Sequence, residues 1–169
     1  FGAEAAPAFH INDGDEKTLW SAGAITFPQW ILLDLGTNYY LKELEIKWLE
    51  ATKTAIAEII PGALQYTVEI SNADNTAFNN FNREYRLVSD KRNNSEVERT
   101  VDKLNETGRY IKITIYNSEA KSKVKMMNQQ FPVIGMAEAT LQGGLLFSDS
   151  YKVDYTNKTI SGISDEIPP

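Results

Sequence analysis

Residues 110–116 read YIKITIY, and this run decides the fold. Ile111, Ile113 and Ile115 alternate with Tyr110, Lys112, Thr114 and Tyr116. A half-buried β-strand has this period of two, because successive side chains leave opposite faces. The same pattern recurs upstream. Leu44, Ile46 and Trp48 alternate with Glu43, Glu45 and Lys47, and Tyr66, Val68 and Ile70 alternate with Thr67, Glu69 and Ser71. Residues 30–35 are almost continuously apolar, which predicts a strand covered on both faces. Residues 85–88, 97–101 and 136–142 are further strand candidates. No long amphipathic helix is present, so the chain reads as an all-β protein.

Two stretches interrupt the alternation. Residues 52–63, TKTAIAEIIPGA, have room for one helical turn before Pro61 and Gly62 end it. Residues 117–131, NSEAKSKVKMMNQQF, read as a polar loop with a Met126–Met127 step. Both are long for hairpin connections, and long loops on a rigid scaffold commonly carry function.

At 169 residues the chain is large enough to bury one core without staples. The net charge of −6 argues against nucleic acid as a partner and against attraction to an anionic membrane surface. No apolar run is long enough to span a bilayer, so direct membrane insertion is not expected. Arg83, Arg86, Lys91, Arg92 and Arg99 are interleaved with Glu84, Asp90, Glu96 and Glu98, which reads as a mixed, solvated surface. The absence of cysteine excludes a disulfide framework, thiol catalysis and a cysteine zinc site. The start at Phe1 reads as processed or engineered. Residues 145–159 follow a Gly-Gly pair as a candidate hairpin or strand, and residues 161–169, ending in Pro168 and Pro169, read as a linker toward another domain.

The chemistry concentrates in residues 10–20, HINDGDEKTLW. Asp13, Asp15 and Thr18 supply three oxygen donors around Gly14, a set suited to a hard cation such as calcium. The competing reading is an Asx-type turn that satisfies its own backbone amides. It is not an EF-hand, because the sixth position counted from Asp13 is Thr18, where that loop needs glycine.

Catalysis has little support. His10 is the single histidine and reads as a loop side chain; no nucleophile-elbow pattern and no phosphate-cradling glycine loop occur. Trp20, Trp30 and Trp48 lie in or beside strand patterns and read as core. Phe27 and Phe131 each precede a proline and a strand, where they either cap the core or stack on a pyranose.

Taken in order, these segments resemble the discoidin, or coagulation-factor C-type, domain. The matching residues begin with Asp13, Gly14, Asp15, Thr18 and Trp20, followed by Gln29, Trp30, Asp34, Leu35 and Gly36. Trp48, Tyr66, Val68, Glu69, Ile70 and Ser71 continue the match, then Arg109, Tyr110 and Ile111, and finally Gly135, Ala137, Glu138 and Gly143. The resemblance spans roughly residues 8–143. It implies an antiparallel jelly-roll β-sandwich of the galactose-binding type, with about eight core strands over residues 1–144 and a C-terminal extension over residues 145–169.

It also implies a structural calcium ion held by the side chains of Asp13, Asp15, Thr18 and Glu138 and by carbonyls near Ile11 and Ala137. The lack of cysteine points to the bacterial branch. The implied function is a non-catalytic carbohydrate-binding module of a larger secreted, periplasmic or cell-surface protein. Its other domains would be a glycoside-processing enzyme or a surface glycan-binding protein. The expected glycan contacts are Phe27, Glu50, Lys53, Gln130 and Phe131, without the loop histidine and arginine common in galactose sites. A structural or protein-interaction sandwich that has lost its sugar site is the competing expectation.

Overall fold

A computed structural model describes residues 20–21, 26–72, 83–145 and 164–166. They form eleven strands: β1 (Trp20–Ser21), β2 (Gln29–Trp48), β3 (Thr52–Lys53), β4 (Ala57–Ile60), β5 (Leu64–Ser71), β6 (Arg86–Lys91), β7 (Arg99–Ser118), β8 (Lys121–Val124), β9 (Gln129–Pro132), β10 (Gly135–Leu145) and β11 (Ser164–Glu166). No helix occurs among the described residues, and every strand pairing is antiparallel. The all-β jelly-roll architecture read from the sequence is therefore the architecture observed.

The large sheet runs β1-β10-β2-β7-β5-β6, with β11 added on β2. Runs expected as separate strands are halves of two 20-residue strands, β2 and β7. These two make a sandwich by doubling back. Tyr66 is paired with Ile115 in the ladder, yet its hydroxyl reaches Asp102 at 2.6 Å. A straight strand would hold Asp102 and Ile115 about 43 Å apart at ~3.3 Å per residue. The bend is visible as register shifts between Asp34 and Tyr39 and between Leu41 and Glu43. Gly36 at φ 86° and Asn105 at φ 48° take up the left-handed backbone there. One layer is thus β11, the first half of β2, the second half of β7, β5 and β6; the other is β1, β10 and the remaining halves.

The core lies between the layers. Ile31, Leu33, Leu35, Ile111, Ile113 and Ile115 meet Leu44, Ile46, Trp48 and Met136 in one cluster. The Trp48 and Tyr66 rings pack at 5.2 Å between centroids. A polar chain threads this core. Trp48 Nε1 donates to Thr100 Oγ1 at 2.9 Å, Thr100 Oγ1 lies 2.8 Å from the Tyr66 hydroxyl, and Ser89 donates to the other oxygen of Asp102 at 2.5 Å. Asp102 is 1% exposed. Burial and the neighbouring Asp102 charge push the Tyr66 hydroxyl far above the usual tyrosine range.

Leu32, on the opposite face of β2 from this core, is also fully buried, as its continuous apolar run predicts. Where β2 turns, Arg109 grips Asp34 through Nε at 2.7 Å and Nη2 at 3.0 Å, and the Gly36 amide donates to Asp34 at 2.9 Å. Burial opposes the Asp34 charge. The Arg109 hydrogen bonds, the Gly36 amide and the charges of Arg109 and Arg83 outweigh it and lower the carboxyl's pKa. The D-L-G and R-Y-I motifs thus meet at one structural clamp. Gly143 is needed for close approach, since a Cβ there would lie 2.0 Å from the Tyr40 carbonyl oxygen.

The two interruptions in the alternation pair with each other. They build a second sheet in the order β3-β4-β8-β9, so residues 52–63 contain a hairpin in place of a helical turn. Ile56–Ile60 has the β-branched side chains that favour this outcome. Within the stretch read as a linker, Ser164–Glu166 add a strand to β2 opposite Asp34, Leu33 and Leu32. The candidate hairpin over residues 145–159 lies outside the described residues beyond Leu145.

Candidate functional site

All four connections of the small sheet, at residues 49–51, 61–63, 119–120 and 133–134, leave the same end of the sandwich. Trp48 ends β2 there, Leu64 begins β5, Ser118 ends β7 and Gly135 begins β10. Phe27 and the β6–β7 loop share that end. Backbone bonds tie the root together: Glu119 N donates to the Ala63 carbonyl at 2.9 Å, Val133 N to Ala120 at 3.1 Å, and Trp48 N to Glu98 at 2.7 Å.

A cavity opens within the β6–β7 loop, lined by residues from Asp90 to Glu96. Its shape depends on Asn94, which is nearly buried. Asn94 Nδ2 donates to the carbonyls of Leu64 at 3.1 Å and Glu96 at 3.0 Å, and Asn94 Oδ1 accepts from Glu96 N at 3.0 Å. Gln65 holds the Asn94 backbone from both sides, donating to its carbonyl and accepting from its amide at 2.8 Å each. Arg92 folds onto Asp90, with Nε at 2.9 and 3.0 Å and Nη2 at 2.5 Å from the carboxylate oxygens. The Arg92 hydrogen bonds hold the Asp90 carboxyl down at about 2. The guanidinium lies 6.0 Å from the centre of the Tyr116 ring, and Tyr116 is 41% exposed. An exposed aromatic, a forked donor, a carboxylate and the Asn93 amide meet on one surface. That combination matches a ligand with an apolar face and many hydroxyls.

The expected glycan contacts are distributed differently. Phe27 is half-buried and packs against the core cluster. Phe27→Ala is therefore expected to cost about 1–2 kcal/mol, read by chemical denaturation, because part of a large apolar side chain returns to water. Glu50 is exposed and pairs with Lys47 at 2.9 Å. Lys53 lies on β3 and Gln130 on β9, at opposite edges of the small sheet. Phe131, half-buried, follows Gln130 on β9 and so takes the opposite face. A single shelf combining Phe27, Phe131, Lys53 and Gln130 is thus not assembled. Sequence reasoning passed over the Asp90–Glu96 loop, because its charges read as a solvated mixed surface; the signal available was the Asn93-Asn94-Ser95 turn beside exposed Tyr116.

The metal reading divides between described and undescribed residues. Ile11, Asp13, Asp15 and Thr18 lie outside the described residues. Trp20 pairs with Met136 and Ser21 with Gly135, so the chain leaving the acidic turn joins the strand that carries Ala137 and Glu138. Thr18 precedes Trp20 by two positions in the sequence, and Glu138 follows Met136 by two on β10. Glu138 is half-buried and Ala137 buried. Carboxylate, hydroxyl and carbonyl oxygens from this turn and strand suit a hard cation. Among the described residues alone, no three acidic or histidine side chains form a metal cluster.

Several solved structures share the fold. CpGH89CBM32-6 of Clostridium perfringens is 21% identical, with 80% of this chain and 83% of that chain covered and a TM-score of 0.54. CpGH89CBM32-4 of the same bacterium, solved with GlcNAc-α-1,4-galactose, is 20% identical over 80% of this chain and 81% of that chain, at a TM-score of 0.55. Chitosan-binding module 2 of a chitosanase/glucanase from Paenibacillus sp. IK-5, solved with chitotriose, is 14% identical over 82% of this chain and 91% of that chain, at a TM-score of 0.56. No curated protein matches the sequence. The model of the F5/8 type C domain matches residues 2–128. With its bent two-layer sandwich and the match over most of its length, the chain belongs to the F5/8 type C domain family.

Proposed function

We propose that this domain is a non-catalytic carbohydrate-binding module that works beside other domains of a secreted, periplasmic or cell-surface protein. The observation that carries the reading is the polar cavity of the Asp90–Glu96 loop beside the exposed Tyr116 ring. Tyr116 stacks on the apolar face of a sugar, while Arg92, Asp90 and Asn93 bond its hydroxyls. The solved relatives that carry a galactose-containing disaccharide or chitotriose support the ligand class. Hydroxyls bond nearly as well to water, so each contact contributes only about 0.5–1.5 kcal/mol. The expected affinity is roughly micromolar to millimolar, which tethering to neighbouring domains raises in effect. The test is a glycan array on the isolated chain followed by calorimetry. Tyr116→Ala should lose the binding with an unchanged melting temperature, and a bound glycan unaffected by that change would remove the cavity from the site.

The second element of the proposal is one structural calcium ion held by Asp13, Asp15, Thr18 and Glu138 with the carbonyls of Ile11 and Ala137. It ties the first loop to β10. A ligand that binds only the folded form stabilises it by about 2.7 kcal/mol at 100 times its dissociation constant. Chelator is expected to lower the melting temperature, and Asp13→Ala to abolish that sensitivity. An identical melting curve with and without chelator would exclude the ion.

A further inference from the structure

The small sheet carries a charge opposite to that of the chain. Residues 52–60 and 121–132 contain Lys53, Lys121, Lys123 and Lys125 against Glu58, a net +3 in a chain of net −6. Its register sorts these charges by face. Lys53 stands opposite Glu58, Glu58 opposite Lys123, and Lys123 opposite Gln130, so the four make one row across the strands. Lys121 is two residues from Lys123 and shares its face, in the next row with Ile60 and Pro132. Lys125 is held apart, its ammonium donating to the Thr54 carbonyl at 2.7 Å. Although Glu58 lies between them in register, no ion pair of Lys53, Lys121 or Lys123 occurs among the described residues.

We infer that this face is a second ligand surface, for a polysaccharide bearing carboxylates or sulfates. The lysines at Lys53 and Lys123 are two strand spacings apart, roughly 10 Å, and Lys121 is about 7 Å along β8 from Lys123. An extended polyanion crossing the strands passes Lys53, Glu58, Lys123 and Gln130 in succession with Lys121 in the adjacent row, so it meets three ammonium groups and one amide against a single carboxylate. This charge complementarity names the occupant. The face has no aromatic ring for base stacking, which disfavours single-stranded nucleic acid. The surface is separate from the Asp90–Glu96 cavity and does not rest on it.

The experiment is native affinity electrophoresis of the whole chain in gels containing polygalacturonate, dextran sulfate or neutral dextran. Retardation is expected in at least one charged gel and not in neutral dextran, and which charged gel retards the chain distinguishes carboxylate from sulfate. Raising salt from about 50 to about 500 mM should weaken it about tenfold or more, as counterion release requires. The combined Lys53→Gln, Lys121→Gln and Lys123→Gln variant should migrate freely while melting like the wild type. Retardation that survives in this variant, or none in either charged gel, overturns the inference. So does binding confined to phosphatidylserine vesicles or to an oligonucleotide. Tyr116→Ala tests the cavity separately, so failure of one reading is distinguishable from failure of the other.

Discussion

Replacing Asn94 with alanine is expected to abolish glycan binding while leaving the sandwich folded. The change removes three side-chain hydrogen bonds, to the carbonyls of Leu64 and Glu96 and from the Glu96 amide. At ~0.5–1.5 kcal/mol each, the loop loses about 1.5–4.5 kcal/mol of local organisation. The cavity is made of this loop's own residues, so its shape cannot survive once the loop samples many conformations. The predicted signature is a fall in affinity of at least about tenfold by calorimetry, with faster amide exchange confined to residues 90–98. A loosened loop that still binds wild-type glycan at full strength would place the site elsewhere.

The second large effect is expected from Tyr66→Phe. Its hydroxyl donates to buried Asp102 at 2.6 Å, and its loss leaves that oxygen of Asp102 without a donor inside the core. Hydrogen bonds to charged groups contribute about 1.5–3 kcal/mol, and denaturation at neutral pH should show a loss of that size. The pH dependence gives a sharper test. The folded pKa of Tyr66 is raised, whereas the unfolded chain releases that proton near pH 10. Below about pH 10 the stabilisation is fully present. Above it the unfolded state binds fewer protons than the folded one, and stability falls by up to ~1.4 kcal/mol per pH unit. Wild type and variant should therefore converge as pH rises beyond about 10. Parallel curves would show that Tyr66 ionises equally easily in both states.

The strands were legible because period-two alternation is a local property. Ile111, Ile113 and Ile115 announce a buried face without reference to any partner. Family membership was legible for a related reason, since Asp34, Gly36, Arg109 and Trp48 keep an order and spacing that the fold imposes. Where those residues go was hidden. Nothing local pairs Asp34 with Arg109, 75 positions away, or brings Tyr66 to Asp102 through a strand that doubles back.

The sequence alone therefore determined the strand class and the sandwich. Tertiary structure decided which surfaces are candidate sites. Residues 52–60 and 121–132 each look like loops, because neither can satisfy its backbone alone. Paired through Ala57–Val124 to Ile60–Lys121 they become a sheet, and the pairing puts Lys53 and Gln130 in one row and turns Phe131 to the other face. The charged run at residues 90–96 becomes a cavity only because Asn94 and Gln65 fasten it to the start of β5. Backbone hydrogen bonds and close packing act between segments distant in the chain, and a surface exists only after they have formed.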